Sequence, residues 1–151
     1  MKRLLLISLS LLLVLACAFS MFACDFMEEE TTAETLAEGE EIEASGLWAD
    51  ATYRSNTTIG NGAKTVSFTV EAEGKMITIT LKTDKETLGE AMYEHELIND
   101  PSFFDTLNGM LASWTENQAY WAFYEGNTMM PHGVNDENIE GGEAYRFVYT
   151  K

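Results

Sequence analysis

The side chains with the most chemical potential in this chain stand in one short run, Met129-Met130-Pro131-His132. Thioether and imidazole are soft donors of the kind that hold copper. A copper site would need three ligands held together in the turn, and no cysteine supports them. The favoured reading is an edge strand, which Pro131 suits because proline has no N–H for a ladder. Its Met side chains would pack or stand at a ligand mouth. A few residues on, Asp136, Asn138, Glu140 and Gly141 repeat the opening of a calcium-binding EF-hand loop. The bidentate Glu such a loop requires at its last ligand position would fall on Phe147, so the motif fails and a polar turn is favoured. His95, the other imidazole, lies between Glu94 and Glu96. Sequence neighbours do not face each other on a helix, which leaves His95 a boundary residue. No Gly-x-Ser-x-Gly elbow, His-Glu-x-x-His pair, phosphate loop or dinucleotide fingerprint is present. Paired carboxylates for glycoside hydrolysis would be conceivable in so acidic a chain, but a small folded region leaves little room for the cleft they need. The expectation is a protein that is not an enzyme, with no catalytic residue and no metal site of its own.

Aromatic residues are the other concentration: Trp114, Tyr120, Trp121, Phe123, Tyr124, Tyr145, Phe147 and Tyr149. A small sheet needs large side chains to fill its core. Strand alternation, however, puts Tyr120 and Tyr124 on the face opposite Trp121 and Phe123. One helix covers one face only, so some of these rings are left for solvent, a ligand or a partner.

The elements that must position these residues read as follows. Lys64 to Ala72 alternates, with Val66, Phe68 and Val70 on one face, and Lys75 to Thr83 alternates again, with Ile77, Ile79 and Leu81 inward. Period two with β-branched residues predicts two strands, and Glu73-Gly74 between them predicts a hairpin. Thr83 followed by Glu86 fits a capping box opening a helix that carries Leu88, Ala91, Met92 and His95 and stops at Asn99-Asp100-Pro101. Its outer face carries Glu90, Glu94 and Glu96. Phe103–Leu107 and Met110–Ala112 predict strands around the turn Asn108-Gly109. Gln118 to Tyr124 predicts a strand that turns at Glu125-Gly126-Asn127 into Met129-Met130, and Glu143 to Thr150 a last one. A hairpin, one helix and further short strands make an α+β fold: a small β-grasp-like mixed sheet with one main helix packed on one face.

The rest of the chain is an address. Its 151 residues suit one domain, and 25 acids against 9 bases give −16. That balance excludes nucleic-acid binding, which needs clustered Lys and Arg. Residues 25–43 hold nine of the acids and no base. Lys2-Arg3 followed by an apolar run to Ala16 is the layout of a secretory signal peptide. The two cysteines, Cys17 and Cys24, both fall at its end, so neither can staple the folded region. Ala23-Cys24 resembles a bacterial lipobox, with cleavage before a Cys that becomes the lipidated N-terminus. Phe22 is bulky for that motif, Cys17 is the second choice, and an uncleaved membrane anchor is the alternative to lipidation. The expected organisation is a lipoprotein signal peptide over 1–23, lipidated Cys24 and an acidic disordered tether over 24–46, and a folded domain over 47–151. The expected location is the cell membrane, lipid-anchored, with the domain on the extracellular face.

Three segments resemble one family. Asp84-Lys85-Glu86-Thr87-Leu88-Gly89-Glu90-Ala91 is similar to its helix start, and Asn117-Gln118-Ala119-Tyr120-Trp121-Ala122-Phe123-Tyr124 to its core strand. Gly133-Val134, Ile139 and Gly142-Glu143-Ala144-Tyr145-Arg146-Phe147 resemble its closing segment. The family is a group of bacterial secreted or lipid-anchored domains of unknown function. It resembles the C-terminal domain of transcobalamin and intrinsic factor, the eukaryotic cobalamin carriers. The resemblance covers roughly residues 64–151 and implies a β-grasp-like fold. In the carriers this small domain closes over a corrinoid held mainly by a large helical domain. The resemblance thus implies a module that caps a corrinoid, with a separate helical or transport partner. The implied ligand surface joins Trp121 to Met129, Met130, His132, Gly133 and Val134. The alternative is a cell-envelope module that docks another protein with the same aromatics and takes no small molecule.

Overall fold

The computed structural model describes residues 34–37 and 39–151. The expected signal peptide, Cys17, Cys24 and the first part of the expected tether lie outside the described residues. Eleven regular elements follow: β1 (Glu34–Thr35), β2 (Thr57–Gly60), β3 (Lys64–Ala72), β4 (Lys75–Thr83), α1 (Leu88–Glu94), β5 (Thr106–Leu107), β6 (Met110–Leu111), α2 (Trp114–Asn117), β7 (Tyr120–Glu125), β8 (Thr128–Met129) and β9 (Ala144–Thr150). Among the described residues no helix is long and apolar enough to cross a membrane.

The hairpin β3–β4 forms where the alternation predicts it. Glu73 and Gly74 both take positive φ, 52° and 72°, the geometry whose twist matches antiparallel strands. Val66, Phe68 and Val70 pair across the ladder with Leu81, Ile79 and Ile77, so all six share one buried face. The last strand, β9, enters beside β3 and parallel to it. It then pairs antiparallel with β7 on its other side. The sheet order is β1-β4-β3-β9-β7-β8, with β2 also on β4. A first hairpin, a helix, a second hairpin and a last strand inserted parallel to the first is β-grasp topology. The class is α+β with one main helix. Leu88, Ala91 and Met92 of α1 join the inner face of the sheet in one core with Phe68, Phe147 and Trp121.

Four details depart from expectation. Thr87, not Thr83, caps the helix: its Oγ1 accepts from Glu90 N–H at 3.3 Å, while Thr83 Oγ1 accepts from Lys85 N–H in the preceding turn. Thr87 and Glu90 satisfy the same capping pattern one turn later. The helix then ends at Glu94, with His95 as its C-cap and Glu96 at φ 56°, so Leu97 and Ile98 are buried from a loop. Between Phe103 and Ala112, only two-residue strands flank Asn108-Gly109, and they form a separate small sheet. The packed chain also starts before residue 47. Ile42 is buried and its N–H bonds Arg54 O at 2.7 Å. Trp48 is fully buried and its Nε1–H donates to Ala72 O at 3.0 Å.

Candidate functional site

The second hairpin and the loops around it build the site. Strand β7 places Trp121 and Phe123 inward and leaves Tyr120 exposed. A two-residue turn returns the chain as β8, with Met129 opposite Tyr124, and Met130 N–H continues the ladder to Phe123 O at 2.9 Å. Pro131 ends the pairing, and the chain crosses through His132 and Gly133 into a short turn, Val134–Asp136. That turn docks on α1. Leu88 N–H donates to Glu137 O, Ile139 N–H donates to Glu86 O, and Gly89 passes close to it. A Cβ added at Gly89 would come within 3.0 Å of Asn135 backbone atoms. The helix start therefore meets the closing segment, whose strand β9 pairs in turn with the core strand β7.

Between the loop 130–134, strand β7, the segment 102–105 and the start of α2 lies an open cleft of about 470 Å³. All six sequence-nominated ligand residues line it: Trp121, Met129, Met130, His132, Gly133 and Val134. The structure adds Phe103, Phe104 and Trp114, from the segment 102–105 and the start of α2. Phe103 is 82% and Trp114 69% exposed. Of the five large apolar side chains exposed among the described residues, Phe103, Trp114, Tyr120 and Met129 line this cleft, and only Tyr93 lies elsewhere. Trp114 and Tyr120 were legible as surplus aromatics. Phe103 was not, although Phe103-Phe104 carries a signal: two adjacent rings in an extended segment cannot both face one core.

Two polar features mark the walls. Trp121 is 92% buried against the edge of Tyr149, ring centroids 5.6 Å apart. Its indole Nε1–H is buried without an acceptor. An unsatisfied buried donor costs about 1–3 kcal/mol. His132 stands on a carboxylate that sequence reading did not connect to it. Its Nε2 is 2.7 Å from Glu137 Oε2, and Glu137 Oε1 accepts from Tyr145 O–H at 2.8 Å. Burial, with the hydrogen bond to Glu137 and the charge of Glu137, pushes the Tyr145 phenol far above its ordinary pKa, so it stays a donor. The EF-like residues are dispersed. Asp136 sits in the short turn, Asn138 bridges Thr87, and Glu140 N–H donates to Glu143 Oε1. Among the described residues no three His, Cys, Asp or Glu gather to hold an ion. His95 is half-buried at the end of α1, away from the cleft lining.

A scan against protein-family models finds no match, and a search of curated proteins finds none either. Solved structures do match. A Ruminococcus gnavus protein provisionally described as metal-binding superposes with a TM-score of 0.53 at 19% identity, over 58% of this chain and 97% of that one. Haptocorrin in complex with Cbi (cobinamide) superposes with a TM-score of 0.45 at 13% identity, over 58% of this chain and 25% of haptocorrin, so the chain spans about a quarter of that protein's length. At 19% identity the R. gnavus likeness speaks to the fold: the domain recurs as nearly a whole chain elsewhere.

Proposed function

We propose that this protein is exported, held by lipid on Cys24 at the outer face of the cytoplasmic membrane, and acts as a non-enzymatic module that caps a broad, flat, partly apolar ligand of the corrinoid class. The observation that supports it is the gathering of Phe103, Trp114, Tyr120 and Met129, all exposed, around one cleft. Exposed apolar side chains clustered on one patch mark a binding surface. The cleft has the volume of a small-molecule site, yet it is open, and a corrinoid is too large to enter it whole. Such a ligand would lie across the rim and present its other face to a helical or transport partner. The choice of corrinoid comes from the sequence resemblance. The docking of another envelope protein is the second reading, favoured by Phe103, whose ring is almost wholly in solvent.

Titration of the soluble chain from residue 25 with cyanocobalamin and cobinamide tests the ligand. Calorimetry and Trp fluorescence corrected for corrinoid absorbance are the readouts. A capping domain without its partner is expected to bind with about −4 to −6 kcal/mol, so ligand must reach millimolar concentration. No heat and no corrected quenching at that limit would leave protein docking ahead. Turnover on glycoside or ester substrates, lost on a single Asp or Glu substitution, would overturn the non-enzymatic reading. Labelling cells with a clickable fatty acid should tag the wild type and not Cys24→Ala. A tag lost only in Cys17→Ala would move the anchor.

A further inference from the structure

Charge divides the folded region as sharply as burial does. Residues 44–85 carry four acids and five bases, whereas residues 86–145 carry twelve acids and no Lys or Arg. Every residue that lines the cleft falls within that second span, between Ser102 and Val134. Three carboxylates stand in its walls or next to them in the chain. Asp105 lines the cleft, and its Oδ1 accepts from Asn99 Nδ2 at 2.8 Å and from Thr106 Oγ1 at 3.0 Å. Asp100 Oδ1 accepts from the N–H groups of Ser102 and Phe103, at 2.7 and 3.2 Å, and so holds the turn that carries Phe103. Glu116 is exposed and follows the lining residues Trp114 and Thr115. Among the described residues no Lys, Arg or His pairs with any of the three.

An apolar cleft among unbalanced carboxylates selects its occupant by charge. Anionic surfaces are repelled. A bare cation finds no group of three ligating side chains among the described residues. A second copy of this chain, brought up by a two-fold axis, would set these acids against themselves. Lys64 and Lys85 are already paired with Glu86 and Glu94. Phe103 and Trp114, largely in solvent, extend the apolar patch outward, as the aromatic core of a protein interface does inside its polar rim. We infer that a partner protein docks here with a bulky apolar side chain in the cleft and Lys or Arg side chains against Asp100, Asp105 and Glu116. This inference rests on the reading of the cleft as a recognition surface and takes its protein-docking form further. The rings hold the partner, and the base-free half of the domain steers a basic surface toward them.

Full-length protein in micelles of an uncharged detergent, with empty micelles as the blank, tests the inference. The probes are three labelled peptides of one length: a central Trp flanked by Lys and Arg, the same Trp flanked by Glu, and the same Lys and Arg around a central Gly. Fluorescence polarisation reports affinity. The expected result is saturable binding of the basic Trp peptide, weakened about tenfold or more in either of the other two. Raised salt should weaken it as well, because the charges at the cleft are screened. Trp114→Ala should lower its affinity about tenfold. Glu116→Gln should lower it less, and only at low salt. Glu43→Gln, the same change of charge at an exposed site outside the base-free span, should leave it unchanged. Circular dichroism identical to the wild type shows that each variant is folded. Equal binding of the two Trp peptides, insensitive to salt, would overturn the charge selection and leave the cleft a recognition surface. Equal binding of the Gly peptide, or binding that survives Trp114→Ala, would mean that acids attract bases anywhere on the domain and would overturn the docking site. No binding of any peptide would overturn the inference, while the corrinoid titration decides the capping reading separately.

Discussion

The two ends of the sheet solve opposite problems with the same alternation. At the β3–β4 end every inward side chain from Val66 to Leu81 is sealed, with α1 over it and β1 and β2 on the outer edge of β4. At the β7–β8 end the inward face runs out into a cleft, and the rings beyond it, Phe103 and Trp114, remain in solvent. Burial of apolar area is the main stabilising term, so a side chain left exposed contributes little to folding. Phe147 joins the ends. It stacks on Phe123 at 5.0 Å and meets Phe68 and Phe104 edge-on at 5.6 and 6.0 Å. The difference teaches that the first hairpin is the scaffold and that the second borders the proposed recognition surface.

That contrast can be broken by mutation. The largest effect is expected from Phe147→Ala, which opens a cavity at the junction and should cost about 3–5 kcal/mol in denaturant unfolding. A loss under about 1 kcal/mol would mean the junction is loosely packed. Asn108 comes next. It is fully buried, its Nδ2 donates to Tyr53 O and its Oδ1 accepts from Tyr53 N–H. Asn108→Ala strands both backbone groups and should cost about 1–3 kcal/mol. Thr87→Ala removes the cap of α1 and should cost about 1 kcal/mol, seen as faster amide exchange at Glu90.

A smaller effect is expected in acid. Partial desolvation pushes the Glu143 carboxyl up, but hydrogen bonds from the backbone N–H groups of Glu140, Glu143 and Gly141, helped by Lys64, outweigh it and leave the pKa below its ordinary value. A lowered folded-state pKa gives stability that is present above the unfolded value and lost as pH falls through the folded one. Glu143→Gln should flatten that acid-side decline; an unchanged slope would assign the decline to other carboxylates. Smallest of all, Phe103→Ala and Trp114→Ala should shift stability by less than about 0.5 kcal/mol while weakening ligand or partner binding. If either unfolds the domain, the wall of the cleft is scaffold too.

The scaffold was legible because its residues repeat a period. Val66, Phe68, Val70 and Ile77, Ile79, Leu81 state their faces outright, and Asn108-Gly109 states its turn. Capping was half legible: Thr83 and Thr87 satisfy one pattern four residues apart, and only packing against the 134–139 segment selects the second. Strand β2 was not legible. Thr57–Gly60 is short and half-exposed, and its pairing with β4 is a tertiary contact rather than a pattern. Site residues on one segment, Met129 to Val134, could be nominated together with Trp121. Phe103 and Phe104 could not, because their proximity to that segment is created by the fold; Glu137 is near in sequence, but only the turn at Val134–Asp136 brings its carboxylate back to His132.

The parallel pair at the centre of the sheet has a kinetic consequence. Strand β9 comprises residues 144–150, yet it lies between β3 and β7 and supplies hydrogen bonds to both. Its partner β3 begins at Lys64, so closing the sheet joins parts of the chain separated by some eighty residues. Contacts of such long range make folding slow, since loop entropy is lost before the contact forms. The sheet cannot close until β9 is in place. A truncation that removes β9 would leave the two hairpins with nothing between them.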